Sequence, residues 1–283
     1  MARRAPASER RVRGTERRNA SSDLLARVLV AVPAAVVAVV VVVVDPVLFA
    51  VAALVLCGAG MGELWGMYER VHPVKLAGFI SLLAFAAAAH FGGEHQVLLV
   101  AVASFPVMFL LAKAQPGGPS VTARLSLTAF GVFWIGFALA HAIMLRELQH
   151  GGGIILDILI GTFLGDTGAY LGGRMLGRRP LAPSISPNKT VEGLVIGMAT
   201  AVFAVWAAGL YQDWLNHGQA LLLGVAVAVM APLGDLFESQ VKRDAGTKDA
   251  GRLFGVHGGS LDRLDAAFFT LVAGYYVWRA MLG

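Results

Sequence analysis

The sequence predicts an all-α, polytopic integral membrane protein. Of its 283 residues, 57% are hydrophobic and only 14% are charged, and the mean hydropathy is +0.69. Uncharged apolar runs long enough to span a bilayer recur along the chain, separated by glycine, proline and charged residues. This composition is not that of a soluble globular protein, so the membrane class is indicated before any motif is considered.

Nine apolar runs are candidate transmembrane helices for a hydrocarbon core of about 30 Å. The first follows an Arg-rich tail, but it is too long for the apolar region of a signal peptide and leads directly into the next run, so we expect a retained anchor. The single cysteine, Cys57, lies inside the second run and can form no internal disulfide. The runs are Leu24–Val44, Val47–Gly62, Val74–Ala89, Val97–Ala112, Leu125–Leu145, Ile154–Leu171, Val191–Leu210, Ala220–Phe237 and Ala266–Leu282.

The distribution of Lys and Arg predicts the orientation of these runs. Basic residues collect on the cytoplasmic side of membrane proteins. With the N-terminus inside, all of the 23 Lys and Arg residues except Arg146 and Arg279 fall in cytoplasmic segments. The sequence therefore predicts a cytoplasmic N-terminus and an outside C-terminus in the plasma or inner membrane of the cell.

The strongest functional feature is the segment 239–265, SQVKRDAGTKDAGRLFGVHGGSLDRLD, which carries five basic and four acidic residues between two apolar runs. One interpretation is an ion-pair network that only folds the loop. However, Asp166 and Asp235 lie near the cytoplasmic ends of apolar runs without a basic neighbour in sequence, where an ionised carboxylate costs about 3 kcal/mol. These acids favour a divalent cation that is completed by substrate phosphates, the usual arrangement for Mg²⁺.

A second polar loop, 174–190, is expected on the same side. Ser184, Ser186, Lys189 and Thr190 supply hydroxyl and ammonium donors just before a helix that is expected to begin at Val191, where free backbone N–H groups favour an anion. Capping of this helix explains its hydroxyl residues equally well. No phosphate-binding loop, HExxH or paired CxxC signature is present. The residues alone thus predict a magnesium-dependent enzyme that acts on phosphate groups at the inner membrane surface.

The segment 239–265 closely resembles the C-terminal signature of the phosphatidate cytidylyltransferases, also called CDP-diacylglycerol synthases. Lys-Arg, Lys-Asp, Phe-Gly, His-Gly-Gly and Asp-Arg-Leu-Asp occur in the family's order, and upstream GDTGAYLGGR and SPNKTVEG also look like family elements. Ser260 departs from the apolar residue that usually follows His-Gly-Gly. The resemblance covers about 154–265 and implies that CTP and phosphatidate react, with Mg²⁺ at the cytoplasmic face, to give CDP-diacylglycerol and pyrophosphate.

The resemblance also implies roles for individual residues. The expected magnesium ligands are Asp235 and Asp262, with Asp166 and Asp265 near a second, monovalent cation. The expected phosphate contacts are Lys189 of the 174–190 loop, Lys242, Arg243, Lys248 and Arg263. The expected catalytic set is Asp235, Asp262, Lys248, Asp249 and His257, of which Asp249 and His257 orient the loop.

These expectations define the organisation and partners of the protein. Residues 1–23 form a basic tail that is expected to be disordered, 24–150 the N-terminal transmembrane helices and 151–283 the catalytic transmembrane region. The expected partners are CTP, phosphatidate, membrane lipids and a second copy in a homodimer, with no nucleic acid. One alternative is a CTP-dependent polyprenol- or phytol-type lipid kinase. The other is an ion-coupled transporter, but a transporter would not need the basic His-Gly-Gly loop.

Overall fold

The computed structural model describes residues 33, 35–115, 117–118, 120–251, 253 and 258–283. The predicted tail 1–23, the beginning of the first predicted run and His257 lie outside the described residues. The helix Val121–Glu147 contains a π-helical turn at Val132–Gly136, and a 3₁₀ turn occupies Glu69–Val71. The helices are α1 Ala35–Val44, α2 Pro46–Met67, α3 Lys75–Phe91, α4 Glu94–Ala114, α5 Val121–Glu147, α6 Gly151–Leu176, α7 Val191–Gly209, α8 His217–Asp244 and α9 Leu261–Leu282.

The predicted class of a helical membrane protein is confirmed. Within the described residues, six helices are long and apolar enough to cross a bilayer, namely α2, α4, α5, α6, α7 and α8. Helices α1 and α3 are apolar but shorter, and α9 carries four charged residues. The structure supports six spans, and the count of nine stays a prediction. Large apolar side chains such as Val55, Leu110 and Phe203 are about two-thirds exposed, as suits contact with lipid.

The all-α prediction missed one short hairpin in the 174–190 loop. Strand β1, Pro180–Ala182, pairs antiparallel with β2, Ser186–Thr190. The turn between them is closed by the Ile185 N–H, which donates to the Ala182 carbonyl at 3.1 Å. The sequence gives little strand signal here, because three prolines interrupt eight residues and the strands are very short.

Helix α5 lies at the centre of the bundle. In its most apolar stretch 67% of the residues are buried, against 28–39% in the other five candidate spans. Trp65 of α2 and Phe85 of α3 are fully buried beside it, and Phe85 packs on Phe137 of α5 with ring centroids 5.2 Å apart. The N-terminal helices therefore surround α5.

Small residues bring α6 and α7 into close contact. A Cβ atom added to Gly172 would lie 2.6 Å from the Ile196 side chain, and one added to Gly197 would lie 2.6 Å from Ala169. Close approach of backbones through small residues is a common way to pack membrane helices. The glycine-rich stretch of α6 therefore serves helix packing.

The charged residues separate to the two ends of the bundle. Arg279 Nε lies 3.7 Å from Glu94 Oε1 at the start of α4, and Arg146 Nε donates to the Val42 carbonyl near the end of α1. At the opposite end, Arg243 Nε of α8 donates to the Ile185 carbonyl of the hairpin at 3.1 Å. The two basic residues that were predicted to lie outside thus share one end of the molecule.

The predicted orientation can be tested by labelling one cysteine at each end in a Cys57→Ala background. An impermeant thiol reagent should label His95→Cys in intact cells, because this exposed residue lies at the Arg279 end. It should label Ser184→Cys, in the exposed hairpin turn, only after the inner face is opened. Labelling of Ser184→Cys from outside would contradict the orientation.

Candidate active site

One face of α8 presents a row of charged residues at the hairpin end of the bundle. Asp235, Glu238 and Lys242 are three and four residues apart, so they lie above one another on the helix. Lys242 Nζ lies 2.5 Å from Glu238 Oε2 and 2.8 Å from Asp262 Oδ1 at the start of α9. The Glu238 side chain is 0% exposed, and the side chains of Lys242 and Asp262 are mostly buried. This ion triad joins α8 to α9.

The loop before α9 folds around the Asp262 carboxylate. The Gly259 N–H donates to Oδ2 at 2.8 Å, and the Ala250 N–H lies 3.2 Å from both carboxylate oxygens. Burial alone would raise the pKa of Asp262, but the hydrogen bonds from Lys242 and these amides lower it below its ordinary value. Asp262 is therefore an ionised acid held by the loop.

A second acid–base pair connects the hairpin to α8. Lys189, near the end of β2, forms an ion pair with Asp235 Oδ2, and Ser239 Oγ donates to Asp235 Oδ1 at 3.4 Å. The carboxylates of Asp166 on α6 and Asp265 on α9 both interact electrostatically with that of Asp235. Three helices thus bring the carboxylates of Asp166, Asp235 and Asp265 close to one another, and Lys189 interacts with the first two.

The donor set at this end suits Mg²⁺, which prefers carboxylate oxygens and takes only one or two of them together with water and substrate phosphates. In the described part of the chain, no three His, Cys, Asp or Glu side chains are arranged to hold a metal ion. The carboxylates of Asp235 and Asp262 are of the ligand type that such an ion prefers. The magnesium ligands and the second, monovalent cation stay predictions.

The hydroxyl residues of the 174–190 loop have different surroundings. Thr190 Oγ1 accepts the Gly193 N–H at 3.1 Å and caps α7. Of the two roles considered for this hydroxyl, capping and anion binding, the structure shows capping. Glu192 accepts the N–H groups of Arg178 and Arg179 at 3.0 and 3.1 Å. Ser184 is exposed and Ser186 is half-buried. Arg179 of this loop pairs with Glu192 at the start of α7, and Lys189 pairs with Asp235 of α8.

The other predicted residues that the structure describes, Arg243, Lys248, Asp249 and Arg263, are exposed. Arg243 holds the hairpin through the Ile185 carbonyl. In the described ranges, neither the Lys248 nor the Asp249 side chain makes a hydrogen bond or ion pair. His257 lies outside the described residues, so its role stays a prediction.

Sequence reasoning missed Glu63, an acid of the N-terminal half. Its carboxylate accepts the N–H groups of Ser260 and Leu261 at 3.0 and 2.9 Å. The signal that could have found it is a carboxylate at the end of an otherwise apolar run. The contact crosses the predicted boundary between 24–150 and 151–283. The sequence-based predictions also assigned no role to Glu238, although it lies on the same helix face as Asp235.

The structure explains the departure of Ser260 from the signature. Ser260 is fully buried, and its Oγ donates to the Leu56 carbonyl of α2 at 2.9 Å. An apolar residue here would pack against α2 without this hydrogen bond. The hydroxyl therefore adds a second link between α2 and the beginning of α9.

Comparison with known proteins assigns the family. Residues 25–281 match the model of the cytidylyltransferase family. The chain belongs to this family. The site just described thus lies inside a family match that covers both halves of the protein.

Three relatives illustrate the similarity. The uncharacterized protein YnbB of Escherichia coli is 38% identical over 161 residues, 54% of each chain. A phosphatidate cytidylyltransferase of Mycobacterium tuberculosis is 37% identical over 167 residues, 57% of this chain and 49% of that protein. A phosphatidate cytidylyltransferase of Staphylococcus aureus is 32% identical over 254 residues, 87% of this chain and 95% of that protein. The chain spans about half the length of the first two relatives.

Proposed function

We propose that this protein transfers the cytidylyl group of CTP to phosphatidate, giving CDP-diacylglycerol and pyrophosphate for phospholipid synthesis. The observation that carries the proposal is the polar cluster of Lys242 with Glu238 and Asp262, next to the pair of Lys189 and Asp235. It brings together residues from both family-like loops. The Staphylococcus aureus relative, matched over nearly its whole length, bears the name of this activity.

The reaction needs no covalent intermediate with the protein. A phosphate oxygen of phosphatidate attacks the α-phosphorus of CTP, the bond from that phosphorus to the oxygen bridging to the β-phosphate breaks, and pyrophosphate leaves. The attacking oxygen is already anionic, so no group must remove its proton. The protein must align two anions, screen their repulsion and stabilise the leaving group.

The charges of the cluster suit these tasks. Lys189 and Lys242 place ammonium groups beside the acids, where they can meet phosphate oxygens. The exposed side chains of Arg243, Lys248 and Arg263 surround the same end of the bundle and would guide the anionic substrates. Mg²⁺ held by Asp235 and Asp262 would, when bound, neutralise the triphosphate and stabilise the leaving pyrophosphate.

The proposed orientation fits the substrates. The cluster lies at the end opposite Arg146 and Arg279, and the distribution of basic residues predicts that this end faces the cytoplasm. CTP is available on that side, and phosphatidate reaches the site from the adjoining lipid leaflet. Asp166 and Asp265, close to Asp235, would hold the second, monovalent cation.

Transfer from CTP labelled at a single phosphate tests this function. Purified protein, phosphatidate and Mg²⁺ should give labelled lipid from CTP labelled at the α-phosphate, because the cytidylyl group carries this atom. CTP labelled at the γ-phosphate should release its label as pyrophosphate. Label in the lipid only from the γ-phosphate would identify a lipid kinase, and label from neither would contradict both enzymes.

The proposed metal ligands can be tested by removing their charge. Asp235→Asn and Asp262→Asn should each lower turnover by about 100-fold or more, because a metal ligand contributes several kcal/mol to transition-state stabilisation. Asp244→Asn is the matched control, since Asp244 is exposed and is bonded by Gln240 instead. Chelation of divalent cations should abolish turnover of the unaltered protein. Near-normal activity of either site variant would remove that residue as a ligand.

A further inference from the structure

Helix α9 begins against an acid from another part of the chain. The first N–H groups of a helix have no intrahelical acceptor and carry the positive end of the helix dipole. Ser260, the N-cap residue, makes no side-chain cap, because its hydroxyl donates to Leu56. Instead, Glu63 Oε1 accepts the Ser260 N–H at 3.0 Å and Glu63 Oε2 accepts the Leu261 N–H at 2.9 Å.

Two glycines of the signature loop, Gly251 and Gly259, approach this carboxylate from the two sides of the undescribed residues 252 and 254–257. A Cβ atom at Gly251 would overlap Glu63 Oε1, and one at Gly259 would overlap Glu63 Oε2. Only a residue without a side chain fits at these two positions while Glu63 stays in place. The end of α2 thus lies between the two arms of the signature loop.

The Glu63 contacts lie next to Asp262. Residues 259–261 each donate a backbone N–H to one of the two acids, since Gly259 donates to Asp262 at 2.8 Å and Ser260 and Leu261 donate to Glu63. The direction of the Asp262 side chain therefore depends on how Glu63 holds the first turn of α9. Glu63 itself touches neither Lys242 nor Asp262 among its described contacts.

We propose that Glu63 is a positioning residue for the transfer reaction: it fixes the first turn of α9 and thereby aims Asp262 at Lys242 and the phosphate site. This inference rests on the proposed function. Residues that orient a metal-ligating or charged group typically change metal affinity or activity by about 10–100-fold when they are altered. The N-terminal half of the chain therefore supplies a functional residue to the signature loop.

The test compares Glu63→Gln with Glu69→Gln. The amide introduced by Glu63→Gln keeps one acceptor oxygen but turns an N–H₂ group toward the other backbone N–H. Glu69 is the control because its side chain is 73% exposed and pairs only loosely with Lys75, at 3.4 Å. Glu63→Gln should lower kcat by about 10–100-fold and raise the Mg²⁺ concentration for half-maximal activity. Glu69→Gln should change neither.

Hydrogen exchange supplies a readout that does not need activity. In Glu63→Gln, amides of 258–265 should exchange faster, while peptides from α6 and α7 keep their protection. Gly259→Ala is a second variant, which displaces the carboxylate and leaves its charge, and it should give the same local change. Unaltered exchange and kinetics in Glu63→Gln would overturn the proposal. Faster exchange throughout both variants, with a parallel loss of thermal stability, would also overturn it, because Glu63 would then serve the fold alone.

The two proposals fail in different ways. If the unaltered protein transfers no cytidylyl group, the proposed function fails. The exchange experiment then still decides whether Glu63 holds the first turn of α9. If transfer is normal and the Glu63 variants match the control, only the positioning role fails.

Discussion

The pairing of the Lys242 ammonium with two acids in an apolar bundle is the interaction on which the site depends. Glu238 has no exposure to solvent, and a buried carboxylate without a partner is strongly unfavourable. The Lys242 ammonium, 2.5 Å from Glu238 Oε2, supplies the counter-charge and at the same time reaches Asp262 on the next helix. The bundle therefore keeps α8 and α9 in one relative position, and the loop between them must fold over the pair.

Parts of the chain that are distant in sequence complete this arrangement. The hairpin contributes Lys189 to Asp235 and is tied to α8 through Arg243. Helix α2 contributes Glu63, and just after its end the Tyr68 hydroxyl donates to the Val241 carbonyl of α8 at 2.8 Å. The site is thus assembled from both halves of the protein, although the recognisable signature lies in one.

Sequence patterns predicted the features of the fold that depend on residues close together in the chain. Apolar runs located the helices, because a bilayer requires long uncharged segments. The hairpin was missed because its strands are short and rich in proline. The pairs Lys189–Asp235 and Glu63–Ser260 could not be predicted, since they depend on how helices far apart in sequence pack. The role of Thr190 was left open between capping and binding, and the structure shows the cap.

The most direct measurement compares thermal stability and transfer activity in Lys242→Gln, Glu238→Gln and the double variant. Lys242→Gln should destabilise the protein by about 3 kcal/mol, because it leaves the buried Glu238 carboxylate without a counter-charge. The double variant should recover the stability, because the buried charge is gone, but not the activity, because the ammonium group beside Asp262 is still missing. A Lys242→Gln protein as stable as the unaltered one, or a fully active double variant, would contradict the account.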